Sequence, residues 1–185
     1  MWQNTRGSEY PRIFSTQYLA ELLVGLSFGY NQLEDESHYM SGKEALRLLI
    51  DVSSAGGNLL LNVGPDGDGN LPPLQVKCLD ALGEWMDQYG DALNTSRPVM
   101  SDLAEPVGDD KTTALWIRWT RIDNRLFGFI DGQGKVKLSF DHSKVDVSKA
   151  RQFGGSNVDI DKDGTLDLDS LKGSVQPVCI ELGIL

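Results

Sequence analysis

One short segment constrains this chain more than any other. Asn58-Leu59-Leu60-Leu61-Asn62-Val63 is apolar without alternation, and Gly64-Pro65 follows at once. A run of this kind reads as a strand buried on both faces, as in a parallel sheet flanked by helices. Its neighbours agree. Ser41-Gly42-Lys43-Glu44 has the form of a capping box, in which the serine hydroxyl and the glutamate carboxylate satisfy first-turn amides reciprocally. Ala45, Leu48, Leu49 and Val52 follow at helical spacing, and Gly56-Gly57 ends that helix. After the strand, Gly64-Pro65-Asp66-Gly67-Asp68-Gly69-Asn70 reads as a loop, and Pro72-Pro73 opens a second helix, where proline's fixed φ and missing donor are harmless. Leu79, Leu82, Trp85, Met86 and Tyr89 form its apolar stripe. Helix, strand, glycine-rich loop and helix are pieces of an α/β fold.

The pattern changes near Arg97-Pro98. Leu115 to Ile122 and Leu126 to Ile130 are β-rich and are joined by a turn at Asp123-Asn124-Arg125. Val136, Leu138 and Phe140 alternate, Asp163-Gly164 sits between two further alternating runs, and Val178 to Leu182 makes a last strand. About six short antiparallel strands read as a β-sandwich. The expected organisation is therefore an α/β part over residues 1–97 and an all-β part over residues 98–185.

The charge excludes some functions. With 27 acidic against 17 basic side chains the chain carries −10, the opposite of what a phosphate backbone requires, so nucleic acid is excluded as a partner. No apolar run approaches the ~20 residues of a membrane span, and no signal peptide is visible. Localisation stays unknown; a complete chain of this kind would be cytoplasmic. Cys78 and Cys179 read as small buried hydrophobes.

Several residues have two readings each. Asn58 and Asn62 flank the leucines; they either bond the loop backbone or face a substrate where the strand ends. Ser27-Phe28-Gly29-Tyr30-Asn31 is either packing at a tight turn or an apolar wall for a ring. Tyr39, beside His38, is a surface tyrosine or a ligand-facing aromatic. Trp116 and Trp119 lie on opposite faces of one strand, so one is expected in the core and the other partly exposed. Asp159, Asp161, Asp163 and Asp167 imitate a calcium loop, but Ser170 stands where the bidentate glutamate belongs, and an acidic hairpin explains them better.

Ser27-Phe28-Gly29-Tyr30-Asn31, the capped helix, Gly56-Gly57-Asn58-Leu59-Leu60-Leu61-Asn62-Val63-Gly64-Pro65, Asp68-Gly69, Leu71-Pro72 and Leu82-Gly83-Glu84-Trp85 occur in that order. Together they resemble the C-terminal third of the catalytic barrel of retaining α-L-fucosidases (glycoside hydrolase family 29). The closest likeness covers residues 24–97, and the trailing segment resembles that family's β-sandwich in position and strand rhythm. The resemblance implies a partial (β/α) barrel followed by an antiparallel sandwich. It also implies double displacement at terminal α-L-fucose of a fucosylated glycan, by two carboxylates ~5 Å apart, with no cofactor and no metal. Tyr30, Tyr39, Asn58 and Asn62 become the expected substrate-binding residues. The family's Trp-Glu pair, which carries the acid/base, falls at Tyr18-Leu19 in an ungapped comparison; leucine cannot donate a proton, and Glu21 is the nearest carboxylate. The nucleophile of the family lies on an earlier strand than any in these residues.

Residues 1–97 have room for about two of the barrel's eight β/α units. The isolated chain is thus expected to be inactive, with an open strand edge that favours association with the upstream barrel segment or with a second copy. The alternative is a non-catalytic sandwich module that binds carbohydrate or protein.

Overall fold

The computed structural model describes residues 37–108, 114–171 and 176–185, together with the backbone of Leu19–Leu23 and Glu36. Two compact units emerge, residues 1–84 and 85–185.

In the first unit, strand β1 (Leu19–Leu23), helix α1 (Gly42–Ser54) and strand β2 (Asn58–Asn62) follow one another, and β1 and β2 pair in parallel from Leu19↔Asn58 to Leu23↔Asn62. Parallel neighbours need a crossover connection, and α1 supplies it. Both ends of α1 are set by local chemistry. Ser41 Oγ accepts the Glu44 amide at 3.2 Å while Glu44 Oε2 accepts the Ser41 amide at 2.9 Å. At the other end Gly56 takes φ +82°, and Gly57 donates to Val52 O at 2.8 Å. Helix α2 (Pro73–Asn94) begins with the expected proline. Ala45 of α1 and Cys78 of α2 form a buried pair, with Tyr39, Met40, Leu61, Val63 and Leu82 packed against it. Gly42 lies so close to Ala81 that a side chain there would collide with it, so the glycine sets how near the two helices come.

The central strand differs from expectation. Leu61 faces the helices, while Asn58 and Leu60 are exposed, Leu60 at 45%. Alternation along a strand puts Asn58, Leu60 and Asn62 on one face. Burial on both faces was expected; among the described residues only the helix side is covered, because nothing packs against Leu60.

The second unit is mostly antiparallel. Strands β3 (Arg97–Pro98), β4 (Trp116–Ile122), β5 (Arg125–Asp131), β6 (Lys135–Lys137), β7 (Val145–Gln152), β8 (Thr165–Asp167) and β9 (Val178–Ile184) make a five-stranded sheet ordered β3-β4-β5-β9-β7 and a two-stranded sheet β6-β8. The two expected hairpins are present. Ile122 pairs with Arg125 across a two-residue turn in which Asp123 takes φ +54°, and Gly164 turns the chain between Ile160 and Leu166 at φ +85°.

Val136, Leu138, Phe140, Leu166, Ile117, Trp119, Leu126, Ile130, Ile180 and Leu182 share the main core. The other face of the larger sheet meets the end of α2, where Trp85 lies 5.8 Å from Phe129 and 5.5 Å from Tyr89, ring centre to ring centre.

Both tryptophans of β4 are buried, Trp116 at 1% and Trp119 at 4% exposure. The expectation of one exposed indole is corrected, because each face of the strand has its own cover. Trp119 stands edge-on to Phe140 and donates to Glu105 O at 2.9 Å. Trp116 is covered by the Arg118 guanidinium at 4.7 Å. Gly128 lies directly opposite Trp119, and a Cβ there would come within 2.6 Å of the indole.

Candidate functional site

In a parallel β/α unit, ligands meet the chain where strands end and loops begin. Here that place is Asn62 and the loop after it. β2 carries Asn62 to its end beside Leu23, Val63 turns back into the core, and Gly64 and Pro65 leave the sheet. Asn62 is half-buried.

Two devices shape the loop. Asp66 ties it into a knot, its Oδ1 accepting the amides of Asn70 at 2.8 Å and Asp68 at 3.0 Å, while its own amide donates to Asn70 O at 2.8 Å. The Asn70 amide, more than any other group, holds the Asp66 carboxyl below the usual carboxylate range. This carboxylate is ionised and committed to its own loop, so it is no reservoir of a proton for a leaving group.

The second device is Gln75, in the first turn of α2 and only 2% exposed. Its Oε1 accepts the Gly64 amide at 2.8 Å and its Nε2 donates to Gly64 O at 3.2 Å. Reading the sequence overlooked Gln75. The available signal was a glutamine at the third helical position counting from Pro73, from which a side chain reaches back to the preceding chain as the acid of a capping box does.

Among the described residues singled out from the sequence, Asn58 and Asn62 lie apart. Asn58 is exposed at the start of β2, four residues and roughly 13 Å along the strand from Asn62. The two amides therefore do not grip one small ring together. Tyr39 follows a short 3₁₀ turn (Glu36–His38) and is half-buried against the Ala45–Cys78 pair, so packing accounts for part of its ring. Glu21 lies in mid-strand, in register with Leu60, while Leu19 is in register with Asn58. Glu21 is thus a strand residue, since Leu19–Leu23 form β1. Tyr30 lies outside the described residues.

Other chemistry-bearing groups are held for structural ends. Asp163 Oδ1 accepts the Thr165 amide at 3.2 Å and Asp167 Oδ1 accepts the Asp169 amide at 3.1 Å, which closes the acidic hairpin on itself. His142 stacks on Phe140 at 4.6 Å. Burial pushes the Cys78 thiol up, helped by Glu44, and pushes the fully enclosed Cys179 thiol well up, so neither is a ready nucleophile.

Comparison with known proteins points one way. The family model described as alpha-L-fucosidase matches residues 4–91. The α-L-fucosidase of Branchiostoma floridae is 32% identical over 72 residues, 39% of this chain and 16% of that protein. The tissue α-L-fucosidase of Macaca fascicularis is 38% identical over 90 residues, 49% of this chain and 18% of that one. Among solved structures, Thermotoga maritima α-fucosidase in complex with fucose superposes with a TM-score of 0.71 at 31% identity, covering 90% of this chain and 40% of the other. α-L-Fucosidase isoenzyme 1 of Paenibacillus thiaminolyticus gives 0.73 at 25% identity, covering 91% and 40%. The resemblance to α-L-fucosidases is thus met in sequence and in structure, and this chain spans less than half the length of the proteins it matches.

Proposed function

We propose that this chain is the C-terminal portion of an α-L-fucosidase, contributing the last β/α units of a catalytic barrel (residues 1–97) and the sandwich that braces it (residues 98–185). The single observation that carries this reading is the superposition with the T. maritima enzyme, which runs through 90% of the chain at 31% identity. The parallel pair β1–β2 supports it: its exposed face, with Asn58, Leu60 and Asn62, is the side that would point into a closed barrel.

On this reading the substrate is a terminal α-L-fucoside. A carboxylate from an earlier barrel strand attacks the anomeric carbon, the leaving oxygen takes a proton from a second carboxylate, and the same group then activates water. Glu21 is the candidate for that second group in this chain, Leu19 occupying the family's own position. Asn62 donates to a sugar hydroxyl where β2 ends, and Tyr30 and Tyr39 offer aromatic faces to the ring. Asn58, at the far end of the strand, has a lesser claim. No step needs a cofactor.

The 185-residue chain carries about two of the eight strands a barrel requires. Purified alone, it is expected to leave a chromogenic α-L-fucoside intact. Mixed with a fragment bearing the upstream barrel strands, it is expected to restore hydrolysis, which Glu21→Gln then abolishes. Robust turnover by the chain alone would overturn the incomplete-barrel reading, and Glu21→Gln without effect would overturn the assignment of the acid/base. For the rival, a carbohydrate-binding sandwich, β4 offers no exposed indole, since Trp116 and Trp119 are both buried.

A further inference from the structure

We propose that Gln75 is the positioning residue of the strand end, fixing the Gly64 peptide and through it the direction in which Asn62 faces. What Asn62 meets rests on the fucosidase reading; the clamp does not.

Backbone bookkeeping motivates the assignment. The register of β1 and β2 ends at Leu23↔Asn62, two residues before Gly64. Gly64 precedes a proline, which restricts it to extended backbone, so the chain leaves the sheet without a turn of its own. Its buried amide and carbonyl both need partners. Gln75 supplies both from one planar group, which fixes the two peptide planes on either side of the Gly64 Cα relative to each other.

The Asp66 knot cannot do this work. It closes residues 66–70 on themselves and leaves open where the closed loop sits. Gln75 is the anchor, and α2 is the rigid element behind it, since the Gln75 amide itself donates to Pro72 O at 2.9 Å. With one donor and its carbonyl oxygen committed and the side chain 2% exposed, Gln75 has no reach toward a ligand. Its influence passes through Gly64, which makes it a positioning residue and not a catalytic one.

The decisive measurement is amide hydrogen exchange by NMR on the whole 185-residue chain, with the Trp85 indole signal as an internal control of folding. Gln75→Met keeps the volume and removes both bonds. Gly64 protection is expected to fall at least tenfold, with a shift of the Asn62 amide signal. Gln75→Glu adds a readout that mere space-filling would not move. As a protonated acid it accepts from the Gly64 amide and donates to the Gly64 carbonyl, whereas as a carboxylate it keeps the amide but repels that carbonyl. The carbonyl-carbon shift of Gly64 should therefore lie near the wild-type value in acid and move away as the pH rises through the carboxyl's pKa. Gly64 protection in Gln75→Met equal to wild type, or a Gly64 carbonyl shift in Gln75→Glu that is flat with pH, overturns the proposal. Failure of the mixing experiment would sink the fucosidase reading without touching this result. If mixing does restore activity, Gln75→Met should raise KM more than it lowers kcat.

Discussion

The indole Nε1 of Trp85 donates to the backbone carbonyl of Pro177 at 2.7 Å, a bond that spans 92 positions of sequence and is fully buried. It ties the second half of α2 to the residue that leads into β9, the strand between β5 and β7 in the larger sheet. The ring also packs on Phe129 and Tyr89. Burial supplies the energy at this junction and the hydrogen bond supplies the orientation.

Trp85→Phe keeps most of the packing and leaves the Pro177 carbonyl unpaired in a buried place. An unmet polar group of this kind costs about 1–3 kcal/mol. Trp85→Ala removes the packing as well and should cost about 3–5 kcal/mol. Urea denaturation followed by circular dichroism should rank them wild type, Phe, Ala. Equal midpoints for the two variants would show that the hydrogen bond, and not the ring, dominates.

Thr120 offers the opposite case. Its side chain is fully buried on β4, and among the described residues its Oγ1 has no hydrogen-bond partner. Thr120→Val keeps the shape and removes the desolvated hydroxyl, so it should stabilise the chain by about 1 kcal/mol. Thr120→Ser keeps the hydroxyl, loses a methyl and should destabilise by a similar amount. Thermal melts of the two variants should move in opposite directions; a valine variant that melts below wild type refutes the account.

Acid should weaken the fold through four carboxylates, Asp163 exposed and Asp66, Asp141 and Asp146 half-buried. Hydrogen bonds from the Ser143 hydroxyl to Asp141, the Ser148 hydroxyl to Asp146, the Thr165 side chain to Asp163 and the Asn70 amide to Asp66 hold each carboxyl below its ordinary value. A group whose pKa is lower in the folded chain binds protons more readily when unfolded. Its contribution is complete above the unfolded value of about 3.9 and disappears as the pH falls through the folded one. Melting temperatures should be level from pH 7 to about 5 and then drop, and Asp141→Asn with Asp146→Asn should flatten that drop. A double variant with an unchanged acid limb would refute these two as contributors.

The parts of this fold that were legible in the sequence are those fixed by near neighbours. Ser41 and Glu44 lie three residues apart and cap α1 as their spacing requires. Asp123-Asn124 and Asp163-Gly164 turn the chain where short polar residues or glycine accept a positive φ. What escaped was set by distant partners. β7 is an edge strand whose register shifts between Asp146 and Arg151, so the alternation that would announce it is broken. Trp85 and Tyr89 look like ordinary stripe residues of α2, and only the tertiary structure shows that Trp85 packs on Phe129 of the sheet and that the Tyr89 hydroxyl accepts from Gln152. The site was half legible for the same reason. Asn62 was singled out as a candidate from the strand it ends, but Gln75 is informative only once Gly64 is known to lie beside it.

Gly128 and Trp119 carry a lesson for anyone comparing variants of this chain. The indole occupies the volume that any side chain at position 128 would claim. The two sites therefore behave as one unit of volume: a larger residue at 128 is tolerable only alongside a smaller one at 119, and either change made singly leaves a collision or a hole. Drift at one of these positions should be legible in the other.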